Sequence, residues 1–87
     1  MAYYYVALAT RSQAFLLERR MKNEGVECEL TFMPRTIMKD LCNMGVRFRE
    51  NVLPGAVEMI RRSGLPTCRL YKEILHPGGA EYIEVKL

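Results

Sequence analysis

Cys42 stands in the segment PRTIMKDLCNMGVRF, with Arg35, Lys39 and Arg47 around it. Positive charge close to a sulfur favours the thiolate, the form that attacks electrophiles or carries a transferred atom. Asn43 follows it, and asparagine is among the few residue types that accept positive φ with modest strain. A backbone turned there would expose the sulfur and aim amide N–H groups towards it, as anion-binding nests do. Cys28 and Cys68 differ, because both lie in alternating runs with apolar neighbours two residues away. A free cysteine in such a place behaves as a small hydrophobe. Cys42 is therefore the candidate nucleophile, and an ordinary loop thiol is the alternative.

The rest of the composition narrows the chemistry. Three cysteines are an odd number, none forms a CxxC pair, and His76 is the one histidine. Neither a disulfide framework nor a four-ligand zinc site can be built from that set, so the expectation is no metal, no cofactor and a reducing cytoplasm. Thirteen basic and ten acidic residues leave a net charge of +3. This mild excess suits an acidic protein partner and falls short of the clustered basicity of a nucleic-acid binder. No apolar run approaches the roughly 20 residues that cross a bilayer, and the N-terminus has no basic segment leading into an apolar one. A soluble, non-membrane protein is expected.

The elements that must position Cys42 can be read from periodicity. At 87 residues the chain is one domain, 1–87, with a core over about 3–75. Tyr3 to Ala9 is uncharged, as a central strand buried on both faces would be. Thr10 and Gln13 have the form of a capping box, and Ala14, Leu17 and Met21 recur at helical spacing until Gly25. Val26, Cys28, Leu30 and Phe32 then alternate with polar residues in a strand that Pro34 closes. PRTIMKDL reads as a connection, and Met44, Val46 and Phe48 supply the inward side of the next strand.

Asn51 can cap a second helix, with Pro54 in its first turn and Ala56, Val57 and Ile60 buried before Gly64. Thr67–Leu75 and Ala80–Leu87 read as two strands joined through a Pro-Gly-Gly turn, the latter an appended strand over about 80–87. This order predicts an α+β fold, a ferredoxin-like βαββαβ sandwich with an extra C-terminal strand. The extra strand could pair at a sheet edge or with another subunit, giving a homodimer.

The middle segment carries a resemblance. The chain is similar to the small selenium/sulfur carrier-like family, whose pattern is a strand, a helix, a Pro-Arg-x-Ile turn, and a Cys-Gly followed by an apolar strand ending in Arg-Phe. Pro34, Arg35 and Ile37 match the turn, Cys42 matches the family cysteine, and Arg47 and Phe48 stand at the expected offsets. The likeness covers roughly Tyr4 to Tyr71. Two positions depart from the pattern: Asn43 replaces the glycine, and Leu41 lengthens the turn before the cysteine.

The resemblance implies a carrier. Cys42 would accept sulfane sulfur or selenium from a cysteine desulfurase or selenocysteine lyase-like donor and hand it to an acceptor enzyme. Arg35, Lys39 and Arg47 would lower the cysteine pKa and dock acidic partner surface, while Asn43 would shape the loop. No general base is needed if the thiol is already partly ionised, so a carrier rather than a stand-alone enzyme is implied.

Two other function classes compete. A ferredoxin-like domain paired through sheet edges could bind a small effector without catalysis. Tyr3 and Tyr5 on one face of the first strand also resemble the stacking surface of RNA-recognition modules. The strand of Met44, Val46 and Phe48 lacks the aromatic pattern such modules place there, which disfavours nucleic acid.

Overall fold

The computed structural model describes residues 2–38, 43–65 and 68–87. In chain order the elements are β1 (Tyr3–Ala7), α1 (Arg11–Asn23), β2 (Glu29–Phe32), α2 (Arg35–Met38) and β3 (Met44–Arg49). A 3-10 turn (Glu50–Val52) leads into α3 (Leu53–Ser63), and β4 (Arg69–His76) and β5 (Gly79–Val85) follow. The five strands form one antiparallel sheet in the order β2-β3-β1-β4-β5. The fold is α+β, and β1 is central as its uncharged sequence requires.

Alternation along β1 sends two sets of side chains to opposite faces. Tyr4, Val6 and Leu8 meet Val46 and Phe48 of β3, Leu70 of β4, Ala14, Leu17 and Met21 of α1, and Ala56, Met59 and Ile60 of α3. Both long helices thus lie on one face. Within this core Tyr4 and Phe48, direct cross-strand partners, stack with centroids 5.7 Å apart and rings 6° from parallel. Such a pair adds roughly 0.5–1.5 kcal/mol beyond its buried area. On the other face Tyr5, Ala7 and Tyr71 pack with Met33 and Ile37, so the segment holding α2 covers part of the sheet side that the long helices leave bare.

Local chemistry sets the helix ends. The Thr10 hydroxyl accepts from the Gln13 N–H at 3.2 Å, as the capping box predicts. The reciprocal bond is not made, and Gln13 Oε1 is buried without a partner. After Asn23 the chain stops in a Schellman arrangement: Gly25 takes φ 76°, its N–H donates to Lys22 O, and the Val26 N–H donates to Met21 O.

Four expectations need correction. Asn51 does not cap α3; it lies within the 3-10 turn, and Val52 occupies the cap position without a side-chain bond. Pro54 still falls in the first turn, where its missing N–H has no helical partner to lose. The stretch after Pro34 is not wholly a turn: buried Ile37 anchors one helical turn, and its N–H donates to Pro34 O. Phe32 keeps the strand alternation yet is 69% exposed, because β2 is an edge strand and Phe32 is its last residue. The strand expected from Thr67 begins at Arg69, and Thr67 itself lies outside the described residues.

The extra strand β5 pairs antiparallel with β4 from Leu70↔Val85 to His76↔Gly79 around Pro77–Gly78. It takes the sheet-edge option within the same chain. No helix among the described residues is long and apolar enough to cross a membrane.

Candidate functional site

Cys42 and Lys39 lie outside the described residues, so the surroundings are built from what flanks them. Asn43 is held twice. Its carbonyl accepts from the Met33 N–H at 2.8 Å, which ties the start of β3 to the end of the β2 segment. Its side-chain Oδ1 accepts from Arg11 Nε at 3.3 Å and Arg11 Nη2 at 3.2 Å. A forked guanidinium from the first turn of α1 therefore fixes the residue that follows Cys42 in the chain. These are charge-assisted bonds, worth more than neutral ones, though both side chains are exposed.

Arg11 was not singled out by the sequence reading, although a signal was there. The first turn of α1 holds no acidic residue and begins with a cation, which opposes the helix macrodipole. In this case the cation does have a partner elsewhere, the Asn43 side chain.

Met33 and Ile37 set the height of the segment over the sheet. Both are buried, at 5% and 4% exposure. Met33 lies over Gly45 of β3, where an added Cβ would collide with Met33 Sδ and with the Val6 carbonyl oxygen. The glycine is thus what lets the thioether settle on the strand. Arg35, at the start of α2, is exposed and makes no ion pair with a described residue.

Arg47 is engaged elsewhere. It stands four residues along β3 from Asn43, roughly 13 Å of strand, opposite Glu29. Its guanidinium is ion-paired with Glu29 and lies 4.4 Å from the Tyr3 ring centroid. The structure brings Arg11 to Asn43 and does not bring Arg47 there.

The two described thiols are poor nucleophiles. Burial pushes the Cys28 thiol up, nearby Glu18 pushes it further, and Lys22 offsets only part of this. Its Sγ donates to Glu18 O at 3.7 Å. Burial likewise pushes Cys68 up. Both stay protonated at neutral pH, the inert form of cysteine. Among the described residues no group of His, Cys, Asp and Glu is arranged to hold a metal ion.

The tyrosine face is largely closed. Tyr5 and Tyr71 are 6% and 3% exposed, so neither offers a free ring for stacking a base. Tyr82 of β5 meets Tyr5 edge-on at 5.6 Å, and its hydroxyl donates to Glu73 at 2.9 Å. Burial and that hydrogen bond to a carboxylate push Tyr82 up to about 12.

Compared with known proteins, residues 3–72 match the family model described as "Putative Se/S carrier protein-like". No curated protein and no solved structure matches the chain.

Proposed function

The chain belongs to the Se/S carrier-like family, and from that premise we propose that it carries activated sulfur or selenium on Cys42, on a ferredoxin-like frame in a reducing cytoplasm. The observation that carries the reading is the family match, which spans the Cys42 segment over residues 3–72. The sheet order and the placing of both long helices on one face support the frame. The state of the other thiols supports the choice of sulfur, since Cys28 and Cys68 are held protonated by burial.

The transfer is a displacement. The Cys42 thiolate attacks the terminal sulfur of a donor persulfide, a new S–S bond forms at Cys42, and the donor's S–S bond breaks to release its thiolate. No net oxidation or reduction occurs. An acceptor thiolate then attacks the same terminal sulfur and Cys42 leaves as thiolate; a selenium atom follows the same path through a selenenylsulfide. The donor is a cysteine desulfurase or selenocysteine lyase-like enzyme. Arg35 and Lys39 supply positive charge to the thiolate, Asn43 shapes the loop under the hold of Arg11, and Arg47 belongs to the surface that docks an acidic partner.

The test is intact-mass analysis after incubation with a cysteine desulfurase and cysteine, comparing the native chain with Cys42→Ala. The expected result is an added mass of one sulfur atom on the native chain, absent from the variant. No adduct, or an equal adduct on both, overturns the carrier role of Cys42.

A further inference from the structure

A second site lies at the far end of β3. The β2–β3 ladder stops at the Glu29–Arg47 pair, and the chains part where Arg49 would have found its opposite. The gap is a cleft of about 140 Å³ whose lining includes Tyr3, Glu27, Glu29, Arg47, Arg49 and Asn51. Arg49 is six residues from Asn43, roughly 20 Å along a strand, so the cleft is separate from the Cys42 segment.

Its charges balance, and only half of them are committed. Arg47 and Glu29 bind each other. Arg49 has no ion pair among the described residues; its guanidinium lies 5.7 Å from the Tyr3 centroid. Glu27 is exposed and has no ion pair among the described residues either. One cation, one carboxylate and the Asn51 amide are left to meet a ligand. A simple anion would face the carboxylates of Glu27 and Glu29, and a simple cation would face two arginines. A molecule with opposite charges at its two ends meets neither penalty. The volume, well under the roughly 300–1,000 Å³ of sites for drug-sized ligands, restricts that molecule to a small one.

We propose that this cleft binds the zwitterionic backbone of a small α-amino acid. The carboxylate sits on Arg49 with help from the Asn51 amide, the ammonium sits on Glu27, and the side chain lies against Tyr3. The site is a small-ligand site independent of Cys42 chemistry, and its occupancy does not depend on whether Cys42 carries sulfur.

The test is titration of the full chain, observed by backbone amide NMR, with L-alanine, L-serine and L-cysteine. N-acetyl-L-alanine and L-alaninamide serve as probes that lack one charge. Saturable shifts at residues 27–29 and 49–51 are expected with at least one of the three amino acids. Both blocked compounds should bind roughly tenfold or more weakly, the loss of one charge-assisted contact. Arg49→Gln and Glu27→Gln should each weaken the amino acid similarly while keeping a dispersed spectrum. N-acetyl-L-alanine binding as tightly as the amino acids, shifts confined to other residues, or no saturable shift with any of the three overturns the proposal. The blocked compounds decide the matter on the native chain even if a variant fails to fold.

Discussion

Gly45→Ala and Gly55→Ala should move stability in opposite directions, and the contrast tests how the segment before Cys42 is seated. At Gly45 a Cβ would run into the Val6 carbonyl oxygen and Met33 Sδ. The thioether could swing aside, but the carbonyl belongs to the central strand and cannot move without disturbing the β1–β3 ladder. Overpacking of this kind costs about 1–3 kcal/mol, which outweighs the roughly 0.4–1 kcal/mol gained by restricting the unfolded chain. At Gly55, inside α3, a Cβ would meet Val26 Cγ2 at 3.6 Å, an ordinary contact. There alanine should gain about 0.5–1 kcal/mol as the better helix former.

For a domain of this size a change of 1 kcal/mol shifts the melting temperature by about 4–8 °C. Urea titrations and thermal melts followed by circular dichroism read both changes. Adding Met33→Ala to Gly45→Ala should not restore stability, because the backbone collision with Val6 remains and the buried packing of Met33 is lost as well. A Gly45→Ala protein as stable as the native chain would refute the account of why Met33 and α2 lie where they do.

Further outcomes follow from the same structure. At neutral pH a limiting dose of iodoacetamide should label Cys42 ahead of Cys28 and Cys68, whose thiols are pushed up by burial; peptide mapping that finds Cys28 labelled equally would remove that argument. Arg11→Ala should slow persulfide formation in the desulfurase assay while changing the urea midpoint by less than about 1 kcal/mol equivalent, since its bonds to Asn43 are exposed. An unchanged rate would take Arg11 out of the site. Tyr82 has a folded pKa raised from 10.0 to about 12, so its contribution is whole below pH 10 and is lost as pH rises through about 12. The native chain should therefore lose stability more steeply than Tyr82→Phe across that window, and parallel curves would contradict the combined effect of burial and the Glu73 hydrogen bond on this hydroxyl.

Much of the frame was legible because single residues announce it. The uncharged Tyr3–Ala9 run could only be a strand covered on both sides, and the Thr10 cap and Gly25 stop bracket α1. Asn51 misled because an asparagine before a proline-bearing helix has the form of a cap, whereas the chain enters α3 through a 3-10 turn that uses the position differently. Arg47 looked like a neighbour of Cys42 when counted along the sequence. Four residues of extended chain already separate it from Asn43, and the cross-strand partner Glu29, far away in sequence, claims the charge instead. Arg11 is the converse case: remote by number, it is joined to Asn43 by the fold. Contacts between residues some thirty positions apart leave no trace in periodicity, which is why the fold was read more fully than the surroundings of the cysteine.

The family match ends at residue 72, part-way along β4, and the hairpin continues beyond it. Glu73 and Tyr82 both lie in that continuation, yet they reach back to the matched region: the Tyr5 hydroxyl donates to Glu73 at 3.4 Å, and the Tyr82 ring abuts Tyr5. The continuation therefore works as a built-in neighbour. A chain cut at residue 72 would leave the Tyr5 side of the sheet one strand short and wettable, with a bare β4 rim ready to recruit a second molecule. By folding its own β5 onto that rim, this protein occupies the vacancy from within, and the edge it offers to others is shifted one strand further out.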